Sequence, residues 1–198
     1  MLFANSNALA VALEFTLGET EQSPLIAGNS DEVVTTNTFA LRASYEFYPT
    51  WRFETAYEYY DTGDGTYLTD SQGIINEAVF SSAVLLGFKK SYILTNRFAV
   101  NVRLGYSIWN INYDIEFEDQ SADFSYTDNG SSLYWGLGAE FYVTPRFYVT
   151  ANYTQLTMDI LQPDENILSD NVSNLYLSIN SDRENKIGNI SFGIGYIF

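Results

Sequence analysis

The chain has 198 residues, no cysteine, no histidine, 17% aromatic residues and a net charge of −16 from 25 acidic and 9 basic side chains. That length supports a single domain with a substantial core, and the missing residue types exclude disulfides, thiolate chemistry and catalysis by an imidazole base. Such acidity also excludes nucleic acid as a partner, because the surface would repel phosphate.

No run approaches the roughly 18 apolar residues that a membrane helix needs. A chain of this kind crosses a bilayer only as a β-barrel. The N-terminus lacks a basic region followed by a full apolar stretch, so a signal peptide is expected to be absent from this chain.

The elements in chain order all carry a period of two, the mark of strands with unlike faces. Leu9, Val11, Leu13, Phe15 and Leu17 alternate with Ala8, Ala10, Ala12, Glu14 and Thr16. A first long loop is expected at about 19–35. The second strand sets Phe39, Leu41, Ala43, Tyr45 and Phe47 against Arg42, Ser44 and Glu46, and a tight turn at Pro49 leads into the third. There Trp51, Phe53, Thr55, Tyr57 and Tyr59 oppose Arg52, Glu54, Ala56 and Glu58, with a second loop at about 61–76.

The fourth strand runs through Phe80, Val84, Leu86 and Phe88. The fifth, from Arg97 to about Asn112, sets Phe98, Val100, Val102, Leu104, Tyr106 and Ile108 against Asn101, Arg103, Gly105 and Ser107. A third loop is expected at about 113–129. Leu133, Trp135, Leu137, Ala139, Phe141 and Val143 define the sixth strand, and Phe147, Val149, Ala151 and Tyr153 the seventh. A fourth loop at about 161–184 precedes a last strand in which Ile190, Phe192, Ile194, Tyr196 and Phe198 alternate with Asn189, Ser191, Gly193 and Gly195. The reading is all-β: an eight-stranded antiparallel up-and-down transmembrane β-barrel, one domain over 1–198.

An internal repeat supports the count. Thr50-Trp51-Arg52-Phe53, Thr95-Asn96-Arg97-Phe98 and Thr144-Pro145-Arg146-Phe147 share the form T-x-R-F, each at a short turn entering the third, fifth or seventh strand. The Phe falls on the apolar face and the Arg on the polar one. Keeping apolar faces aligned places Glu46 opposite Arg52 and, by the same register, Glu140 opposite Arg146. Inward ion pairs are therefore expected at both turns, with Glu14, Glu58, Arg42 and Arg103 sharing the polar face farther along.

Most of the acids fall in the four long loops, whereas the strands are nearly neutral. The polar face is rich in Gly and Ala and poor in the Lys and Glu of a solvated surface. The apolar face carries more Phe and Tyr than a small barrel interior holds, and aromatics gather near the turns, as at a membrane interface. These features place the apolar face outside, against lipid. A soluble lipocalin-like carrier would have the faces reversed.

Eight strands, three short turns, four polar loops and an aromatic final strand resemble the small bacterial outer-membrane barrels of the OmpA and OmpX type. The ending Phe192, Ile194, Tyr196, Phe198 is similar to the signal by which the barrel-assembly machinery recognises such proteins. The resemblance implies residence in the bacterial outer membrane, contact with lipid and lipopolysaccharide, turns facing the periplasm and loops facing outward. No peptidoglycan-binding domain is expected. No enzyme activity or cofactor is expected, since the inward carboxylates are read as partners of arginines.

The resemblance leaves a monomeric barrel acting at the surface through its loops, for adhesion or envelope integrity, or else a narrow pore. Asp114, Glu116, Glu118, Asp119 and Asp123 form the densest acidic run and are the candidate ligands for Ca²⁺ or Mg²⁺, being hard oxygen donors.

Overall fold

The computed structural model describes residues 10–22, 34–69, 73–117, 124–160 and 183–198. Eight strands follow in order: β1 (Val11–Gln22), β2 (Val34–Tyr48), β3 (Trp51–Thr69), β4 (Gly73–Ile93), β5 (Phe98–Phe117), β6 (Phe124–Tyr142), β7 (Phe147–Ile160) and β8 (Arg183–Ile197). Each pairs antiparallel with its neighbours in sequence, and β8 returns to β1 to close the barrel.

Orientation follows from exposure. Leu104 is 60% exposed and the adjacent Arg103 is 0% exposed. The same contrast sets Phe192 against Ser191, and Leu41 against Arg42. An apolar surface that girdles a whole barrel far exceeds the patches tolerated in water and requires lipid as its solvent. The soluble-carrier alternative is thereby overturned, because its apolar face would line an internal cavity.

Two of the expected loops are largely strand. In the second loop (61–76) and the third (113–129), residues 61–69, 73–76, 113–117 and 124–129 are extensions of β3, β4, β5 and β6, paired from Gly63↔Val79 to Thr69↔Gly73 and from Tyr113↔Tyr126 to Ile115↔Phe124, while 70–72 and 118–123 lie outside the described residues. The first and fourth loops are shortened as well, with β1 running to Gln22 and β8 starting at Arg183; residues 23–33 and 161–182 lie outside the described residues.

The physical reason is an inversion of polarity, clearest on β5. On β5 the outward side changes at Ile108 from apolar to Asn110, Asn112, Asp114 and Glu116, while the inward side changes from Arg103 and Ser107 to Trp109, Ile111, Tyr113 and Ile115. Below Ile108 the strand faces lipid and encloses polar groups. Above it the strand faces water and encloses a core, so alternation persists with opposite sign. A reading that requires apolar residues outside stops at the crossing point. The four strands β3 to β6 thus rise as a collar, carrying about 30 Å of strand beyond the lipid-facing band at ~3.3 Å per residue.

The turns at the other end explain the register. Leu94 and Thr95 donate their N–H groups to Phe98 O at 3.0 and 3.1 Å, and Val143 and Thr144 do the same to Phe147 O at 3.0 and 3.1 Å. In both turns the threonine Oγ1 accepts the N–H of Arg97 or Arg146, at 3.2 and 3.3 Å. The third copy of the repeat differs. Pro49 and Thr50 make a tighter turn, with Thr50 at φ 69°, and Glu46 lies opposite Arg52.

Candidate functional site

Below the collar the inward positions of seven strands converge on one charged network. Glu14 comes from β1, Arg42 from β2, Glu54 and Glu58 from β3, Lys89 from β4, Arg103 from β5, Glu140 from β6 and Asn152 from β7, all buried. Each stands on the inner face by strand parity.

Arg42 reaches three carboxylates: Nη1 to Glu54 Oε1 at 3.2 Å, Nη2 to Glu58 in a close pair, and Nε to Glu14 Oε1 at 3.9 Å. Arg103 spans the lumen likewise, with Nη2 3.3 Å from Glu14, Nε 3.1 Å from Glu54 and Nη1 donating to Asn152 Oδ1 at 2.6 Å. Lys89 pairs closely with Glu140 and lies 3.8 Å from Glu14. Neutral donors complete the shell: Tyr60 to Glu58 at 2.5 Å, Tyr148 to Glu14 at 3.2 Å, Tyr142 to Glu140 at 2.6 Å and Asn101 to Glu140 at 3.2 Å. Each of these carboxylates therefore meets a cation and at least one further donor, the condition under which buried charge is tolerated.

Above this layer an apolar cluster takes up much of the lumen, beside the buried polar side chains of Gln22, Glu77 and Ser81. Tyr60, Val79, Trp109, Ile111, Tyr113 and Met158 form part of one buried cluster that fills the mouth of the collar. A barrel of eight strands is just wide enough for side chains to fill. Here a polar layer and an apolar layer fill it in series.

Of the residues singled out from sequence, Glu14, Arg42, Glu58, Arg103 and Glu140 meet in the network, and Glu46 lies 3.4 Å from Arg52 at the turn-end mouth. Arg146 is not opposite Glu140. That carboxylate pairs in register with Thr150, and Arg146 is exposed because the longer turn after β6 takes it out of the strand. Arg97 occupies the equivalent exposed place.

Lys89 and Asn152 carry the network as well, yet neither stands out in the sequence. Lys89 is two residues from Gly87 on the inner face of a strand whose alternation is blurred by Leu85, and parity is its only signal. Among the acidic run, Asp114 and Glu116 are exposed on the outer face of the collar, Asp114 Oδ1 accepting from Ser125 Oγ at 2.7 Å. Glu118, Asp119 and Asp123 lie outside the described residues, among which no group of three potential ligands gathers. Phe192, Ile194, Tyr196 and Phe198 all face outward, and the N–H of Phe198 donates to Val11 O at 2.9 Å across the closing seam.

Outside the band, Tyr126 on the collar has its phenol pushed up to about 12, by burial and by the neighbouring Asp128 carboxylate.

The sequence profile of the OmpA-like transmembrane domain matches residues 17–198. Among solved structures, a major outer membrane protein of Thermus thermophilus gives a TM-score of 0.59 at 12% identity, over 97% of this chain and 100% of that one. Ail, the attachment invasion locus protein of Yersinia pestis, gives 0.57 at 15% identity over 96% and 99% of the two chains. Neisserial surface protein A gives 0.55 at 14% identity over the same shares. No curated protein matches the chain in sequence.

Proposed function

The chain belongs to the family of OmpA-like transmembrane domains and resides in the bacterial outer membrane, and from that premise we propose that it is a non-enzymatic barrel contacting partners outside the cell. The observation that carries the reading is the collar. Four strands continue past the lipid-facing band with a polar, acidic outer face, above a lumen filled by side chains. A filled lumen argues against a pore. A raised rim argues for presentation.

Chemistry selects the partner. Ail has been solved with the heparin analogue sucrose octasulfate, but a chain of net charge −16 repels such a polyanion. The collar instead suits a cationic surface, or the phosphates of lipopolysaccharide bridged by Ca²⁺ or Mg²⁺ held on collar carboxylates such as Asp114 and Glu116. The buried carboxylates hold arginine and lysine and are withdrawn from any substrate, which supports the non-enzymatic reading. The chain is read as one monomeric barrel whose Phe192, Ile194, Tyr196 and Phe198 are offered to the barrel-assembly machinery.

The test compares the whole barrel with a version whose collar strands are replaced by tight turns, both reconstituted in vesicles. Retention on an immobilised cationic protein is expected for the whole barrel only, falling as salt screens the attraction. Retention on lipopolysaccharide is expected only with a divalent cation present. Equal retention by the shaved barrel refutes the reading. A steady conductance across a planar bilayer refutes the filled lumen.

A further inference from the structure

We propose that the turn end carries a binding site for the phosphate of a phospholipid headgroup, built on Lys90. Among the described residues, Lys90 is the one charged side chain on the outward wall between the turns and the collar. Every other outward position there is apolar, aromatic or uncharged. A lone charge on a lipid-facing wall needs a reason.

Its surroundings fix it in place. Lys90 lies directly across from Trp51 in the β3–β4 register, with Nζ 4.9 Å from the centre of the Trp51 ring and 5.9 Å from that of Tyr92. Nζ also donates to Thr50 Oγ1 at 2.7 Å. Thr50 supplies that hydroxyl from φ 69°, a conformation that a β-branched residue rarely adopts. Backbone held off its preferred region marks a place where side-chain position matters.

The ammonium has three donors and only neutral partners. One hydroxyl and two ring faces hold it, and no carboxylate among the described residues lies within ion-pair distance. Two donors and a full positive charge are left for an anion from outside the protein. Trp and Tyr rings sit at headgroup depth in a bilayer. The anion at that depth is a lipid phosphate.

The charge along the barrel axis supports the same reading. The turn end exposes Arg97 and Arg146, whereas the loop end exposes Glu19, Glu21, Asp61, Asp64, Asp114 and Glu116. The positive end thus sits against the inner leaflet, where an anionic headgroup gains about a fivefold preference per nearby lysine.

The experiment is native mass spectrometry of the folded protein in zwitterionic micelles, titrated with phosphatidylglycerol, phosphatidylcholine or inorganic phosphate. One phosphatidylglycerol is expected to be retained in preference to the other two. Lys90→Met and Lys90→Gln are expected to lower that retention about fivefold, Lys90→Arg to keep it and Lys186→Met to leave it unchanged, each variant shown folded by heat-dependent gel mobility. Unaltered retention in both neutral variants overturns the site. Displacement of the lipid by an equal concentration of inorganic phosphate assigns the site to a free anion and overturns the lipid assignment.

Discussion

Replacing Arg103 by methionine keeps much of the length of the side chain and removes its charge from the centre of the lumen. The guanidinium touches Glu14, Glu54 and Asn152, at 3.3, 3.1 and 2.6 Å. Without it Glu54 keeps Arg42 at 3.2 Å, and Glu14 keeps Lys89 at 3.8 Å and Arg42 at 3.9 Å. One more buried negative charge is then uncompensated, since Glu14, Glu54, Glu58 and Glu140 are left with only Arg42 and Lys89 inside the network. Stripping one partner from a buried pair costs about 3–5 kcal/mol. With a urea slope of about 2 kcal/mol per molar, the unfolding midpoint should fall by roughly 2 M. The assay is reversible urea unfolding in lipid vesicles, read by tryptophan fluorescence and by gel mobility. Adding Glu54→Gln should recover part of the loss, with a coupling of at least about 1 kcal/mol. A loss below ~1 kcal/mol in Arg103→Met would mean that water reaches these groups, and the filled lumen would have to be abandoned.

Two further outcomes follow from the polarity inversion on β5 and from the collar. Leu104→Lys places a charge on the lipid-facing band and should cost about 2–4 kcal/mol in the same unfolding assay, whereas Asn112→Lys, farther along the same face, should cost under about 0.5 kcal/mol. Similar costs for the two would show that the band does not end at Ile108. Tyr126, whose folded phenol titrates at about 12 rather than at the ordinary 10.0, favours the protonated native state; its contribution is present below the ordinary value and is lost as pH rises through the folded one. A difference titration of the wild type against Tyr126→Phe at the phenolate absorbance should show that late step, and Asp128→Asn should bring it earlier. An unchanged step in Asp128→Asn would remove the carboxylate as a cause.

Strand number and face were legible because lipid imposes one rule on every outward residue, as in Phe98, Val102, Leu104 and Ile108. The same rule hid the collar. Ile111, Tyr113 and Ile115 alternate as regularly as the residues before them, but their solvent is water, so the apolar side turns inward. The network was legible in part. Glu14, Arg42 and Arg103 announce themselves as charges among small residues, while which of them touch depends on strand stagger around the whole barrel, a quantity no local pattern carries. Arg146 shows the limit most clearly: one four-residue repeat yields two turn geometries, because Pro49-Thr50 joins β2 to β3 in two residues whereas four separate β4 from β5 and β6 from β7, which takes Arg97 and Arg146 out of the strands.

The seam between β1 and β8 pairs Ala12 with Ile197 and Gly18 with Ser191, whereas all other strand pairs join neighbours in sequence. Hairpins can form early and independently, but bringing together positions so far apart costs about 5 kcal/mol of chain entropy before any bond is gained. The seam has little room for adjustment once formed, since a Cβ at Gly193 would run into the Phe15 carbonyl oxygen. Chain entropy therefore weighs most heavily on closure, and a sheet that has not closed is an open ribbon with two unpaired margins. A substitution such as Gly193→Val crowds that seam, and so favours margins left available to pair with the wrong chain.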